Sequence, residues 1–416
     1  MSGTPKGLRL HIGFFGRRNV GKSSLINALI GQEVSIVSET PGTTTDPVEK
    51  AMELAPIGPA LLIDTAGVDD VGALGGKRIE RTLKTRDHTD LAAIVVDQRG
   101  LGDDELALIA GFRERDTPFF VLFNKADLGP PSEADIDRLR KESVDWVAAS
   151  AAGGAGLAAL RETILRNAPD DRFEAPHLVG DLLPAGGLAV LVVPIDLAAP
   201  KGRLILPQVM AIRDILDADA ACMVVKEREL ADALARLERK PDLVICDSQI
   251  VLKAAADTPP DVPLTTFSIL MARFKGDLPR LAEGAAAIDR LRPGDRVLIA
   301  EACTHHALAD DIGRVKIPRW LRQYAGGDLR FETVSGRDFP DDLSPYSLVV
   351  QCGGCMVNRK QVLLRLRQAE MQGVPMTNYG LTISRVQGVL SRALESFPAA
   401  RDAFERASAE PKRKAG

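Results

Sequence analysis

Gly16-Arg-Arg-Asn-Val-Gly-Lys-Ser23 lies between an apolar run of strand length, Leu8–Phe15, and a helical pattern. It fits the Gly-x4-Gly-Lys-Ser loop, and the strand before it and helix after it supply the context that such a loop needs. Its glycines let backbone N–H groups curl around an anion at the N-terminus of a helix. A chain that starts this way is committed to an α/β fold with a largely parallel sheet.

The rest of the first 168 residues follows that commitment. Short apolar runs at Ala60–Ile63, Leu91–Val96, Phe119–Phe123 and Trp146–Ala149 have strand length, and amphipathic segments lie between most of them. Asn167-Ala-Pro-Asp-Asp171 and the region of Pro176 and Gly180 read as a linker. A second α/β stretch runs through strand Leu188–Val193, a helix at about 205–217, strand Cys222–Val225, a helix at about 228–239 and strand Leu243–Cys246, and closes at Pro259-Pro260. A third opens with a helix predicted over 268–291, ended by Pro293-Gly294. Strands Arg296–Ala300, Leu329–Thr333, Ser347–Val350 and Pro375–Asn378 follow, with a helix over 358–372 and a last one ending near Phe397. The expected domains are therefore 8–168, 176–265 and 268–398, with a disordered tail at 407–416, and no internal repeat is evident. In fold terms this is a Ras-like P-loop domain with a parallel-type sheet, followed by two smaller α/β domains.

Composition narrows the class further. The 416 residues are 45% hydrophobic and 26% charged, enough apolar material for sizeable cores. A net charge of -4 and 4% aromatic residues argue against a nucleic-acid surface. No stretch reaches the length of a membrane span, and Met1–Leu8 lacks the apolar core of a signal peptide, so a cytoplasmic protein is expected. In that compartment cysteines stay reduced, so a close cysteine pair points to metal or redox chemistry before a structural disulfide.

Four motifs build a nucleotide site. In the loop, Gly16, Gly21, Lys22, Ser23 and Ser24 surround phosphates; Lys22 brings a point charge, and the Ser23 hydroxyl is a Mg²⁺ ligand. Asp64-Thr-Ala-Gly67 follows a strand, with Asp64 in the magnesium shell, acting indirectly, and the Gly67 N–H facing the γ-phosphate. Asn124-Lys125-Ala-Asp127 selects the base, because the Asp127 carboxylate accepts from guanine N1–H and N2–H₂ and adenine offers no such pair. Ser150-Ala151 follows the strand run Trp146–Ala149, placing the Ala151 N–H for guanine O6. GTP with Mg²⁺ is the implied ligand.

Pro41-Gly-Thr-Thr-Thr-Asp46 occupies the place of a first switch loop, and with it the chain resembles the TrmE–Era–EngA–YihA branch of GTPases. The resemblance puts Thr44 on Mg²⁺ and the γ-phosphate. Val68 stands where many GTPases carry a water-positioning Gln. Asn19 occupies the position that potassium-activated relatives use to hold K⁺, and such a cation would stabilise charge as an arginine finger does. Lys22, Thr44, Gly67 and Asn19 are thus the expected catalytic group, and hydrolysis is expected to be slow and K⁺-stimulated.

Far downstream, Cys303 ends the run Val297–Ala302, and Cys352-Gly-Gly-Cys355 follows Leu348–Gln351, so all three cysteines fall at the C-terminal ends of strands. Open α/β sheets place ligands there. The CxxC spacing suits two thiolates on one metal or cluster, and the glycines permit a tight turn. An iron–sulfur cluster, a structural zinc with a His ligand and a redox pair are the alternatives. Cys222 and Cys246 lie in apolar strands and read as buried core residues.

Val193-Pro-Ile-Asp196, Ala199–Gln208, Phe267–Arg273 and the Cys303-Thr-His305…Cys352-Gly-Gly-Cys355 set resemble the HydF family of FeFe-hydrogenase maturation GTPases, over residues 8 to 398. The resemblance implies a GTPase domain, a dimerisation domain giving a homodimer or higher homo-oligomer, and a 4Fe–4S domain. It implies a scaffold that takes a di-iron H-cluster precursor, made with two radical-SAM maturases, and delivers it to apo-hydrogenase. Carried over, Cys303, Cys352 and Cys355 match the cluster cysteines and His305 the histidine of the CxH element; His306 reads as a cap or a solvent-facing residue. The family often reads HCxxC, and here Gln351 replaces that His, leaving the fourth iron position open to His305, a carboxylate, water or the precursor. A ribosome- or tRNA-directed GTPase with a structural metal site is the alternative function, and electron transfer a third.

Overall fold

The computed structural model describes residues 4–31, 47–68, 82, 84–169, 177–194, 204–302, 311–336 and 338–409. The chain divides into two compact units, Met1–Ala175 and Pro176–Gly416.

The first unit runs β1 (Leu10–Phe15), α1 (Lys22–Gly31), β2 (Val48–Leu54), β3 (Gly58–Asp64), β4 (Leu91–Val96), α2 (Asp103–Glu114), β5 (Phe119–Phe123), α3 (Glu133–Lys141), β6 (Trp146–Ala148) and α4 (Leu157–Asn167). The sheet order is β2-β3-β1-β4-β5-β6. All pairings are parallel except β2 with β3. Every residue of β1 and β4 is buried, because helices cover both faces of the central strands. Leu10, Ile12 and Phe14 pack into one core and Phe15, Ile94 and Val96 into the other. Strand β2 was not expected. Its run Val-Glu-Lys-Ala-Met-Glu-Leu buries only Met52 and Leu54, and the wet remainder marks an edge strand. The first strand starts later than Leu8, since Lys6–Leu8 form a 3₁₀ turn.

The second unit contains β7 (Leu188–Val192), α5 (Leu206–Asp217), β8 (Ala221–Val225), α6 (Leu230–Ala235), β9 (Leu243–Cys246), α7 (Val251–Asp257), β10 (Leu264–Thr266), α8 (Phe267–Lys275) and α9 (Leu278–Ala285). It continues with β11 (Arg296–Glu301), α10 (Ile317–Ala325), β12 (Arg330–Ser335), β13 (Leu348–Gln351), α11 (Arg359–Met371), β14 (Met376–Asn378), α12 (Tyr379–Val386), α13 (Leu390–Ala393) and α14 (Pro398–Ala409). These form two four-stranded parallel sheets, β10-β9-β7-β8 and β14-β13-β11-β12. The expected class, a parallel-type sheet followed by two smaller α/β domains, is what the structure shows.

The two sheets have one topology: counted within each sheet, the order is fourth, third, first, second. Their registers coincide as well. Val192 pairs with Cys246 and Thr266 with Cys246 in the first; Ala300 pairs with Gln351 and Gln351 with Asn378 in the second. The equivalence reaches the sequence at Val262-Pro-Leu-Thr-Thr-Phe267 against Val374-Pro-Met-Thr-Asn-Tyr379. Thr266 and Asn378 each cap the following helix, accepting from Ile269 N and Leu381 N. Arg273 pairs with Asp181 and lies over Phe397; its counterpart Arg385 pairs with Asp289 and lies over Phe404. The equivalent positions Ser268 and Gly380 meet, with Gly380 N donating to Ser268 Oγ at 3.0 Å. A side chain at 380 would have its Cβ 2.8 Å from that of Ser268, so the close approach requires glycine. The unit is a tandem structural repeat, which corrects the reading that found none.

Two further corrections concern helices. The helix predicted over 268–291 is broken at Gly276-Asp277: α8 ends there, and Asp277 caps α9 by accepting from Arg280 N, with Pro279 in its first turn. The ordered chain also passes Phe397, because α14 buries Ala400, Ala403, Phe404 and Ala407. The expected tail therefore cannot begin at Ala407; residues 410–416 lie outside the described residues. Among the described residues no helix is long and apolar enough to cross a membrane.

Candidate nucleotide site and cysteine crevice

The phosphate loop is shaped by backbone that only some residues adopt. Gly16 has φ 141° and Gly21 φ 93°, and a Cβ at Gly16 would lie 2.3 Å from the Val95 carbonyl oxygen. Asn19 also has positive φ, 61°. Lys22 is buried, and its ammonium donates to the carbonyls of Gly16 at 2.9 Å and Arg17 at 2.8 Å, which fixes it within the loop. Ser23 Oγ donates to Asp64 Oδ2, so the two expected Mg²⁺ residues meet. Burial pushes the Asp64 carboxyl up, against the Ser23 hydrogen bond and the charges of Lys22 and Lys50. A divalent cation suits that donor pair, since it favours the ionised carboxylate that burial penalises. Ser24 is exposed on α1, and Val68 N donates to Gly16 O at 3.4 Å, bringing the end of the Asp64–Gly67 segment to the loop.

The base motif is tied to the same loop. Asn124 is buried; its Nδ2 donates to Val20 O at 2.7 Å and its Oδ1 accepts from Ala151 N at 3.3 Å. One side chain thus joins the phosphate loop, the base motif and the Ser150-Ala151 loop. Lys125, at φ 61°, donates to Asn19 O at 2.9 Å and to Asp97 Oδ2 at 3.1 Å. Asp127 accepts from Ser150 Oγ. Hydrogen bonds therefore link Gly16 with Lys22, Asn19 with Lys125, and Val20 with Asn124 and Ala151, and Ser23–Asp64 and Asp127–Ser150 form two further pairs. Thr44 lies outside the described residues.

Sequence reasoning missed two carboxylates that support this network. Asp97 directly follows β4, at the strand end where the other motifs sit, and that position was the available signal. Burial pushes its carboxyl up, but hydrogen bonds from Arg99 and Lys125 outweigh it and hold the pKa at about 2. Glu105 is fully buried in α2. It accepts from Arg17 Nε at 2.7 Å and from Gly102 N at 3.0 Å, and Arg17 Nη2 reaches Gly100 O at 2.6 Å. Arg17 therefore braces the loop from behind.

In the second unit, β11 and β13 end side by side, and the cysteines follow them. Cys352 Sγ accepts from Ala302 N at 3.0 Å, Gly354 N at 3.5 Å and Gln351 Nε2 at 3.6 Å. Burial pushes this thiol up, while the two backbone N–H groups and the Arg365 charge act the other way. Gly354 has φ 68°, a left-handed conformation suited to glycine, and Cys355 is half-buried beyond it. Three donors on one sulfur suit a thiolate that binds a metal. Cys303, His305 and His306 lie outside the described residues; Ala302, whose N–H reaches Cys352, is the residue before Cys303. Among the described residues no three His, Cys, Asp or Glu side chains group around a metal position.

Gln351 is buried and already engaged: its Oε1 accepts from Arg365 Nη1 at 2.9 Å. Of the two cysteines read as core, Cys246 is fully buried, and burial pushes its thiol far up. Cys222 is only half-buried, because β8 is an edge strand whose faces are incompletely covered; this corrects the reading of it as a core residue.

Three family models match the chain. Residues 178–276 match the hydrogen maturase F dimerization domain, residues 279–396 the hydrogen maturase F tetramerization domain, and residues 11–125 a 50S ribosome-binding GTPase. The chain belongs to the hydrogen maturase F family. The match at 11–125 makes its first unit a GTPase domain, in agreement with the guanine-reading motif. The tRNA modification GTPase MnmE of Synechococcus sp. (strain JA-3-3Ab) is 40% identical over 158 residues, 37% of this chain and 32% of that protein. MnmE of Caldicellulosiruptor saccharolyticus is 38% identical over 118 residues, 27% of this chain and 25% of that protein. The chain thus spans about a third or less of the length of these relatives. Among solved structures, Aquifex aeolicus Era bound to GDP·AlF4 is 29% identical, covering 38% of this chain and 56% of that one with a TM-score of 0.33.

Proposed function

We propose that this chain is a GTP-hydrolysing scaffold of FeFe-hydrogenase maturation. It holds a 4Fe–4S cluster in the C-terminal crevice, accepts a di-iron precursor and transfers it to apo-hydrogenase. The observation that carries the reading is the cysteine crevice, with three donors on Cys352 Sγ, in a chain whose other unit is a GTPase domain.

In the first unit, Lys22 and the Gly16–Ser23 loop hold the phosphates, and Ser23, Asp64 and Thr44 take Mg²⁺. Asn19 holds K⁺ against the phosphates, and Gly67 contacts the γ-phosphate. Charge stabilisation of this kind is the main catalytic lever in phosphoryl transfer. With Val68 in place of a Gln, the usual water-positioning side chain is absent, and turnover is slow. Asp127, Ser150 and Ala151 read guanine.

In the second unit, Cys303, Cys352 and Cys355 hold the cluster, and its fourth iron is open to exchange, with His305 the candidate ligand from this chain. Gln351 is not that ligand, since its oxygen serves Arg365. An open iron position gives an incoming di-iron cargo a place to dock. Anaerobic purification followed by metal analysis and electron paramagnetic resonance tests this assignment. A 4Fe–4S signal lost in Cys303→Ser supports it; stoichiometric zinc, or a full signal in the variant, contradicts it.

The working form is a homo-oligomer. Strand β8 is a sheet edge with Val224 exposed and Cys222, Met223 and Val225 half-buried, an apolar edge of the sort that pairs with another chain. It lies in the stretch that matches the dimerization domain. The two radical-SAM maturases and the apo-hydrogenase are its partners, in the cytoplasm, where thiols stay reduced.

A further inference from the structure

Arg365 is a buried cation without a carboxylate partner. It is 3% exposed, and its guanidinium donates to two neutral oxygens, Gln351 Oε1 at 2.9 Å and Gly336 O at 2.7 Å, and lies 4.9 Å from the centre of the Phe339 ring. Among the described residues no Asp or Glu forms an ion pair with it. Glu301, the buried carboxylate at the end of β11, is paired with Arg314 at 2.9 Å and forms no ion pair with Arg365. Burying an unpaired charge costs several kcal/mol, so a fold that keeps one needs an anion close by. The group across Gln351 from Arg365 is the Cys352 sulfur, which receives the Gln351 Nε2 donor and becomes anionic when it binds a metal. Gln351 therefore lies between the two groups, with its oxygen on Arg365 and its nitrogen on Cys352.

The tandem repeat shows that this arrangement is not a requirement of the fold. At the register of Gln351 the sister sheet carries Cys246, and the residue after it is Asp247 rather than a cysteine. The helix that follows is seven residues long there and thirteen here. Position 365 is the seventh residue of the longer helix, and the seventh of the shorter one is Asp257, a carboxylate.

We propose that Arg365, positioned by Gln351, is the built-in counter-charge of the anionic cluster held at Cys352, and that it raises the reduction potential of that cluster. This rests on the cluster reading given above. Three thiolates and a 4Fe–4S core carry net negative charge, and one-electron reduction adds one more. A fixed cation in a site shielded from water stabilises the more negative state further, so its removal makes reduction harder. Arg365 is a positioning and tuning residue, and it contributes no ligand.

The test uses the full chain, reconstituted anaerobically with iron and sulfide, and follows the cluster signal by electron paramagnetic resonance through a dithionite titration. In Arg365→Gln the ratio of reduced to oxidised cluster at a fixed potential should fall at least tenfold, a shift of about 59 mV for one electron. Arg365→Lys, which keeps the charge, should stay closer to the wild type. Gln351→Leu should shift in the same downward direction with its iron content kept. A potential unchanged in Arg365→Gln overturns the proposal, and so does a lower melting temperature with no shift, the result expected of a structural brace. If Arg365→Gln holds no iron, Gln351→Leu decides: the downward shift supports the counter-charge role and an unchanged potential overturns it. A wild type that takes up no cluster overturns the cluster reading itself, and with it this inference.

Discussion

The buried pair between Arg17 and Glu105 should govern the stability of the phosphate loop. Glu105 is fully buried and Arg17 is 16% exposed, and Glu105 also accepts from Gly102 N. Breaking a buried pair by removing one partner costs about 3–5 kcal/mol. Arg17 keeps its bond to Gly100 O and a path to water, so the lower end applies, and Glu105→Gln should cost about 3 kcal/mol. For a unit of this size that is a drop of roughly 10 °C in melting temperature. The chain has two tryptophans, Trp146 in the first unit and Trp320 in the second. In a Trp320→Phe background, Trp146 fluorescence then reports urea unfolding of the first unit alone. A cycle with Arg17→Ala and Glu105→Gln should give a coupling of about 2 kcal/mol. GTP affinity should fall about tenfold, because ordering the unbraced loop then takes about 1.4 kcal/mol from binding. A coupling below about 0.5 kcal/mol, the level expected of independent sites, would refute the brace.

The other predictions concern the base, the cation and pH. Asp127→Asn removes a charged acceptor of two hydrogen bonds, so GTP affinity should drop about 100-fold or more, while xanthosine triphosphate, with an acceptor in place of N2–H₂, should gain; unchanged preference in a fluorescent-nucleotide competition would contradict the assignment. GTP turnover should be faster in K⁺ than in Na⁺, and Asn19→Ala should abolish the difference; equal rates in the two salts for the wild type would remove the K⁺ site. Acid should destabilise the first unit in two steps. Burial lowers the His11 pKa below its ordinary 6.5, so the stability of the neutral ring is complete above that value and is lost as pH falls through the folded one. Asp97, held at about 2, contributes about 2 kcal/mol above the ordinary carboxylate range, lost between about pH 4 and 2. His11→Gln should flatten the first limb of a Trp146-monitored pH titration and Asp97→Asn the second; an unaltered slope in either variant counts against that group.

How much could be read from the chain depended on how local the cause was. The nucleotide motifs were legible because each is a short run at a strand end, and the parallel sheet follows from apolar runs such as Leu91–Val96, which needs burial on both faces. Strand β2 escaped because an edge strand with Glu49, Lys50 and Glu53 shows little apolar signal, and β10 because it has three residues. The tandem repeat escaped because it resides in topology and register, with helices α7 and α11 of different length and similarity confined to a few short stretches. Cys222 shows the converse failure: an apolar run at a sheet edge reads like a core strand. Arg365 left no trace at all. It is one of several basic residues in α11, and only the fold reveals that this one points inward to Gln351.

The scaffold role is tested most directly by activation of apo-hydrogenase. Purified, cluster-loaded protein with the two maturases should activate it in the wild type, and Cys355→Ala, which removes one thiolate from the crevice, should leave it inactive. Equal activation by Cys355→Ala would contradict the account.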